Sequence, residues 1–420
     1  MFIKKLTVKN FRSFNETTIE LSNCNVIIGP NGSGKSNFVN IFRFIKDSMQ
    51  YGLEDAISLQ AGLNYLTNVK LGFSKDLEIS FVLSPKEDEN KMYLIEKKKH
   101  GVKINEITYT FRMEFYRRLT RGNRIKKIFE QMIIKFTTHD VQENIVLADN
   151  SLYIERNNDN ITHSFLLDPI FNEEVYRNIF GLEFLDIFKT GITQDRLFFS
   201  NLIYLPSPVF TNLSRIRDVV IYDLDPKLPK KAMPTEAKST LNEDGSNLAL
   251  KLNKIIQNKE DYKRFSLIMN ELLPFIERYG TERYTDQSII TRVKETFSEK
   301  HYFPASLVSE GTINITMLVI ALFFEEHELI IIEEPFKRIH PNLISKIMMM
   351  IKEISETKQI IITTHNPEVV KHTQLKNLNL VIRDNDGFSN IKKVSSLAYL
   401  RHFLESDVGI EQLFIKDFIR

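Results

Sequence analysis

The sequence predicts an α/β fold: a parallel core sheet covered by helices, an antiparallel β subdomain and a mainly helical insertion. Three observations carry that expectation. First, Asn25-Val26-Ile27-Ile28 reads as a buried strand. It runs into the glycine-rich turn Gly29-Pro30-Asn31-Gly32-Ser33-Gly34-Lys35-Ser36 and emerges on a helical period of apolar residues, Phe38, Ile41, Phe42 and Ile45. Second, residues 76–170 consist of short strand-like segments separated by polar turns. Third, strand and helix patterns alternate from residue 307, and the stretches 329–332 and 359–362 are strongly apolar, as strands of a parallel sheet buried on both faces are.

The elements follow in order. Residues 2–8 alternate and then meet Phe11-Arg12-Ser13-Phe14, which predicts a hairpin leading to the glycine-rich turn. Strands are expected over 77–83, 92–96, 108–115, 131–137 and 151–156. The character changes near residue 170, with a helix over 170–192, a strand over 201–205 and a proline- and lysine-rich linker over 225–235. Helices are expected over 247–256 and 261–279, the second kinked at Pro274. These patterns divide the chain into residues 1–170, a first lobe, 171–300, the insertion with its linker, and 301–420, a second lobe with a C-terminal tail. No heptad run lasts long enough for a coiled-coil arm.

Composition narrows the options. A chain of 420 residues has room for two or three folding units. A net charge of +2 leaves nucleic-acid affinity to local patches. Cys24 is the single cysteine, which excludes an internal disulfide and a cysteine-based zinc cluster. Met1-Phe2-Ile3-Lys4-Lys5 has no apolar run of the signal-peptide kind, and the longest apolar stretch, 315–324, is too short to span a bilayer. The expected location is the cytoplasm, with no membrane partner.

The chemistry is concentrated in four places. Gly29 to Ser36 fits the phosphate-loop pattern G-x-x-x-x-G-K-[ST] at every fixed position, between a strand and a helix as the pattern requires. Backbone N–H groups and a helix N-terminus there suit a polyphosphate, Lys35 the β- and γ-phosphates, and the Ser36 hydroxyl Mg²⁺. A nucleoside triphosphate is the expected ligand. Leu329-Ile330-Ile331-Ile332-Glu333-Glu334 delivers two carboxylates at the end of an apolar strand: Glu333 for the metal through water, Glu334 to polarise the attacking water. Gln359 to His365 is a second apolar strand, ending on an imidazole that could hydrogen-bond a γ-phosphate. His340 and His402 read as structural or surface residues. In Leu307-Val308-Ser309-Glu310-Gly311-Thr312, Ser309 is a candidate N-cap, and Gly311 permits close approach of a phosphate to the backbone.

Together these segments resemble the RecF/OLD/SMC-related group of ABC-type ATPases. Val8 to Phe14 is similar to its opening "NFRSF" segment, Gly29 to Asn37 ("GPNGSGKSN") to its Walker A, Ser309 to Thr312 to its variant signature, and "TTHNPE" at Thr363 to its switch histidine. "LNEDGSNL" from Leu241 is typical of its smaller ATPases. The likeness covers residues 1–85 and 200–380 well. It implies an ABC-type head using ATP and Mg²⁺. Gly29, Pro30, Asn31, Gly32, Ser33, Gly34, Lys35, Ser36 and Asn37 would cradle nucleotide, with Ser309 and Gly311 of a second copy closing the site, hence a homodimer or higher oligomer. It further implies a switch over a separately encoded effector, a nuclease or toxin in anti-phage defence; the alternative is a RecF-like clamp on DNA ends or gaps.

Some residues depart from the group or mimic other sites. Glu333 stands where most members carry Asp, and Pro335-Phe336-Lys337-Arg338-Ile339-His340-Pro341 replaces the common "PENxLHP". Gln60 is a candidate Q-loop residue, though a surface helix position is preferred. Asp384-Asn385-Asp386-Gly387 resembles a nuclease D-x-D but sits between two strand-like segments, which favours a hairpin turn. Arg117, Arg118, Arg121, Arg124, Lys126 and Lys127 form a basic run: a phosphate-backbone contact, or a solvated loop or helix face.

Overall fold

The computed structural model of the chain describes residues 2–85, 92–95, 99–120, 123–158, 160–169, 172–182, 197–198, 218–235, 240–298 and 301–396. It forms two compact units. The first comprises Met1–Ser22, Asn31–Val219 and Leu380–Lys393; the second comprises Asn23–Pro30, Val220–Asn379 and Val394–Arg420.

The first unit is built on an antiparallel sheet. Its strands lie in the order Phe14–Glu20, Phe2–Phe11, Leu77–Ser84, His100–Thr120, Asn123–Asp140, Val146–Asn157 and Asn160–Leu166, with Tyr93–Ile95 added on His100–Thr120. Period-two patterning sets one face inward: along Leu77–Ser84, Leu77, Ile79, Phe81 and Leu83 are buried and their neighbours are not. Against that face packs the helix Lys35–Gln50, whose Phe44 meets Phe11 and Phe111 at ring-centroid distances of 6.1 and 6.2 Å, and whose Phe42 meets Phe81 at 6.1 Å. A carboxylate is buried within the sheet as well. Glu130 takes hydrogen bonds from Tyr109 Oη (2.6 Å), Arg156 Nη1 (2.8 Å) and the Phe198 N–H (2.8 Å), so its charge is matched on every side that holds a donor.

Of the basic run, Arg117 and Arg118 lie on the strand His100–Thr120 and Arg124, Lys126 and Lys127 on the strand Asn123–Asp140, not on a helix face. Long-range pairing wins there over a local pattern that is polar without period. Lys126 is 3.7 Å from Glu114, and the Arg124 guanidinium stacks 5.0 Å from the Phe73 ring. The side chains of Arg117, Arg118 and Arg121 lie outside the described residues.

The second unit holds the parallel sheet. Val219–Tyr222, Leu329–Glu333, Gln359–Thr364 and Cys24–Ile28 lie side by side in that order, the last three parallel. Ile330, Ile331, Ile332, Ile360, Ile361, Ile362, Val26, Ile27 and Ile28 are fully buried, which explains why these strands read as unbroken apolar runs. Burial pushes the Cys24 thiol in this sheet up to about 11, so it stays protonated and inert in the folded chain. Of this unit's helices, Glu310–Phe323 is buried nearly all round and Pro341–Ile354 buries only one stripe.

One expected helix is cut short. Residues 261–279 do not form a helix kinked at Pro274. The helix Lys259–Leu272 stops at Leu273, and the chain continues as the strand Ile276–Arg283, paired antiparallel with Ser288–Glu295. Pro274 has no N–H to continue the ladder and disfavours helical backbone at Leu273, so a break is cheaper than a kink. The expected strand at 201–205, His402 and the last part of the 170–192 helix lie outside the described residues. Among the described residues no helix is long and apolar enough to cross a membrane.

Candidate functional site

Register brings the chemistry of the second unit to one edge of its sheet. Glu333 pairs with Thr363, Thr363 with Ile27, and Thr364 with Ile28. The three strands therefore end level, and Glu334, His365 and the first residues of the phosphate loop, Gly29 and Pro30, all leave from their C-terminal ends. That is where ligands sit in parallel α/β sheets. Glu334 has φ +48, an uncommon backbone for a side chain with a Cβ, and its N–H donates to Thr363 O at 2.9 Å. Its carboxylate is then fixed. Oε1 lies 2.7 Å from His365 Nδ1, while Oε2 receives only long contacts of 3.4 Å from Thr364 Oγ1 and the His365 N–H. A carboxylate can only accept, so Nδ1 carries the proton and the His365 tautomer follows from Glu334. His365 is itself held in place: Thr364 Oγ1 accepts from the Asn366 N–H at 3.0 Å, and Asn366 caps the next short helix through the Glu368 N–H at 2.9 Å.

The signature segment is a capped helix start. Ser309 Oγ accepts from the Thr312 N–H at 3.1 Å, and that hydroxyl lies 2.9 Å from Thr312 Oγ1. A Cβ on Gly311 would stand 2.7 Å from Arg338 O, so glycine is needed there by the chain's own backbone. The helix and the segment after Glu334 are latched twice more. Arg338 pairs with Glu310, and the buried Asn314 Nδ2 donates to Pro335 O and Lys337 O, both at 2.9 Å. This is the unusual stretch Pro335 to Pro341, so its departure from the familiar pattern has a use: it supplies Arg338. Asn314 was missed in the sequence. The available signal was one amide inside an otherwise apolar helix, a group that must find partners when buried.

The remainder of the phosphate loop belongs to the first unit. Gly32 has φ +76 and Gly34 φ +117, and Gly34 caps Lys35–Gln50 with no side-chain hydrogen bond. The first N–H groups of that helix are thus left to something other than a side-chain cap. Ser33 is buried and its Oγ has no hydrogen-bond partner; Lys35 is buried beside it in sequence. The far end of the chain clips this loop. Ser389 Oγ donates to Ser33 O at 2.5 Å and lies 2.8 Å from Ser13 Oγ, Arg383 Nε donates to Gly32 O at 2.8 Å, and Asn37 Nδ2 donates to Ser13 Oγ at 2.8 Å. A Cβ on Gly34 would run into Ser389 Oγ, so this glycine serves both its positive φ and that contact.

These residues fit a nucleotide. The orphaned Ser33 hydroxyl, the helix start without a side-chain cap and the open space over Gly32 suit phosphate oxygens. Among the described residues no three His, Cys, Asp or Glu side chains gather into a metal cage. The hydroxyl of Ser36 and the carboxylate of Glu333 are each of a donor type that Mg²⁺ takes, an ion that keeps mostly water and phosphate ligands.

Other sequence readings resolve as follows. Gln60 is not a surface residue: it is buried and its Oε1 accepts from Arg12 Nη2 at 2.5 Å, a pairing across 48 residues that periodicity does not show. Asp384 to Gly387 is a hairpin turn, with the Gly387 N–H on Asp384 O and the Phe388 N–H on Asp384 Oδ1, both at 2.9 Å. His340 is the N-cap of Pro341–Ile354 through Nδ1. In the "LNEDGSNL" segment Asn247 folds the turn on itself, accepting from the Asn242 N–H and donating to Thr240 O, both at 2.7 Å.

Residues 24–371 match the model of a family described as "AAA domain, putative AbiEii toxin, Type IV TA system". Over 386 residues the chain is 24% identical to Endonuclease GajA of Bacillus cereus (strain VD045), an alignment covering 88% of this chain and 56% of that protein. The chain thus spans about half the length of that relative. Two solved structures are similar in fold. One is the SmcHead bound to the C-winged helix domain of ScpA, at 16% identity over 93% of this chain and 98% of that one, TM-score 0.49. The other is the SMC head domain from Thermotoga maritima, at 16% identity over 94% and 99%, TM-score 0.40.

Proposed function

The chain belongs to this AAA-domain family, related to the RecF/OLD/SMC group of ABC-type ATPases, and from that premise we propose that it binds and hydrolyses ATP as a switch. The observation that carries hydrolysis is the Glu334 carboxylate, set at the sheet edge where the phosphate loop begins. Oε1 is committed to His365, whereas Oε2 has only long contacts and is the oxygen available to a water. Glu334 orients that water and takes its proton. His365 holds the carboxylate in that pose and presents Nε2 outward, its side chain 53% exposed against 16% for Glu334. Lys35 and the loop N–H groups hold the phosphates. Bound Mg²⁺ would neutralise charge on the transferring phosphoryl group, with Ser36 and Glu333 as its protein contacts.

Dimer formation rests on Ser309 and Gly311, which start a helix whose own chain uses Gly311 for packing but which offers its N-terminal end outward to a second copy. Control of a separate nuclease or toxin in defence is supported by the toxin–antitoxin description of the family and by the endonuclease relative. Co-purification with neighbouring gene products identifies that effector. The DNA-clamp alternative loses support at the basic hairpin, where Lys126 and Arg124 already have partners. The direct test is a pair of variants. Lys35→Ala should abolish nucleotide binding; Glu334→Gln should bind ATP and turn it over about 10²–10⁴-fold more slowly. Wild-type turnover in Glu334→Gln would overturn the assignment.

A further inference from the structure

The phosphate loop is held by its carbonyls. Arg383 Nε donates to Gly32 O at 2.8 Å and Ser389 Oγ to Ser33 O at 2.5 Å, so side chains from one hairpin near the end of the chain take two successive carbonyls. Gly32, Ser33, Arg383 and Ser389 all belong to the first unit. A trans peptide sets its C=O and its N–H on opposite sides, and no peptide bond of the described residues is cis. Pinning Gly32 O therefore turns the Ser33 N–H the other way, and pinning Ser33 O does the same for the Gly34 N–H. Neither N–H has an acceptor among the described residues, and the buried Ser33 Oγ has no partner. Three donors are left for an anion, while the two carbonyls that would repel it are engaged elsewhere.

The support behind Ser389 runs in one direction. A hydroxyl has one proton, and that of Ser389 goes to Ser33 O, so at the 2.8 Å contact between Ser389 Oγ and Ser13 Oγ the donor is Ser13. Ser13 Oγ in turn accepts from Asn37 Nδ2 at 2.8 Å, and Ser13 O accepts from the Ser389 N–H at 2.8 Å. Asn37, Ser13 and Ser389 thus form a chain of donors that ends on the loop carbonyl, each bond polarising the next. Arg383 is steadied separately, by Nη1 on Gly387 O at 2.6 Å within its own hairpin. We propose that Ser389 and Arg383 are positioning residues for phosphate binding, which hold the loop carbonyls so that the Ser33 and Gly34 N–H groups face the polyphosphate before it arrives. The assignment rests on the ATP reading above and adds residues that aim the loop from 356 and 351 positions away. Donors set in advance need no reordering when the ligand binds. A hydrogen bond to a charged group corresponds to about 10- to 100-fold in affinity, so the loss of one aimed N–H is measurable.

The test asks whether these side chains act on phosphate. Binding of a non-hydrolysable ATP analogue and of inorganic tripolyphosphate, each with Mg²⁺, is measured by calorimetry on the full chain and on Ser389→Ala and Arg383→Met, well below their unfolding temperatures. Both ligands should weaken by the same factor, about 10- to 100-fold, in each variant. With ATP as substrate, KM should rise while kcat stays within about threefold, because the aimed N–H groups hold substrate and transition state alike. Arg383→Lys keeps the charge and a donor and should recover most of the loss. Unchanged affinity for both ligands, with only the unfolding temperature lowered, would overturn the assignment and leave the ATP reading intact. A loss confined to the ATP analogue would also overturn it, by placing the effect on the nucleoside. A wild-type chain that binds neither ligand removes the ATP reading and the assignment together. Arg383 is exposed, so its variants carry the test even if Ser389→Ala fails to fold.

Discussion

Gly34 and Gly311 show two different reasons for a residue to be glycine. Gly34 needs a positive φ and meets Ser389, while Gly311 faces a backbone carbonyl, Arg338 O, 2.7 Å from where its Cβ would stand. A side chain can rotate away from such a contact, but a carbonyl held in a latched segment has to move with its backbone. Gly311→Ala should therefore destabilise the nucleotide-free chain by about 1–3 kcal/mol, as overpacking in a tight site does. Urea unfolding without nucleotide measures it. An unshifted midpoint would show that the segment around Arg338 yields freely and that Gly311 matters only for a phosphate. Glu334 belongs to the same scale. Its left-handed backbone is a local cost that the Thr363 carbonyl and the His365 ring hold in place, as expected where a side chain must be aimed.

Between elements, Asn314 is a link of the second unit. It sits inside Glu310–Phe323, is 2% exposed, and donates to two carbonyls of the segment that follows Glu334. The signature helix and the acid-bearing turn consequently move as one piece. Asn314→Ala leaves the buried Pro335 carbonyl and the part-buried Lys337 carbonyl without this donor, a loss of about 1–3 kcal/mol in stability, and frees the turn that carries Glu334. ATP affinity should be kept and turnover should fall. Asn314→Asp removes the donors and adds a buried charge, so it should be the worse of the two. Stability and turnover both equal to wild type in Asn314→Ala would show that Arg338 and Glu310 hold the turn without it.

At the level of the whole molecule, the proposal is that hydrolysis needs two chains. A chain carrying Lys35→Ala and a chain carrying Ser309→Arg should each be inactive. Mixed, they form heterodimers with one intact site, wild-type loop against wild-type signature, and one site damaged twice. Partial recovery of ATP turnover is expected where the two sites fire independently. Recovery is read from the steady-state rate after subunit exchange has been verified. A cross-link between residues flanking Ser33 and Thr312 distinguishes strict coupling of the sites from a signature acting in its own chain. Links confined to monomers would sink the dimer.

Much of the site was legible in the one-dimensional chain because its signals are local. The phosphate loop is a turn with fixed spacings, the acidic and histidine strands are apolar runs with a polar end, and the Ser309 cap and the Asp-Gly hairpin depend on residues within a few positions. Local patterning also sufficed for the α/β class and for most strands of the antiparallel sheet. Only the tertiary structure decided which distant residues complete these parts. Ser389 reaches Ser33 across 356 positions, Arg383 reaches Gly32 across 351, and Asn314 reaches Pro335 across 21. No periodicity encodes such pairs, because a hydrogen bond between elements depends on where the sheets place their ends and not on spacing along the chain. The same reason underlies two of the misread segments. Pro274 ends a helix because a strand partner, Ser288–Glu295, is there to receive the chain, and Gln60 is buried because Arg12 folds over to meet it.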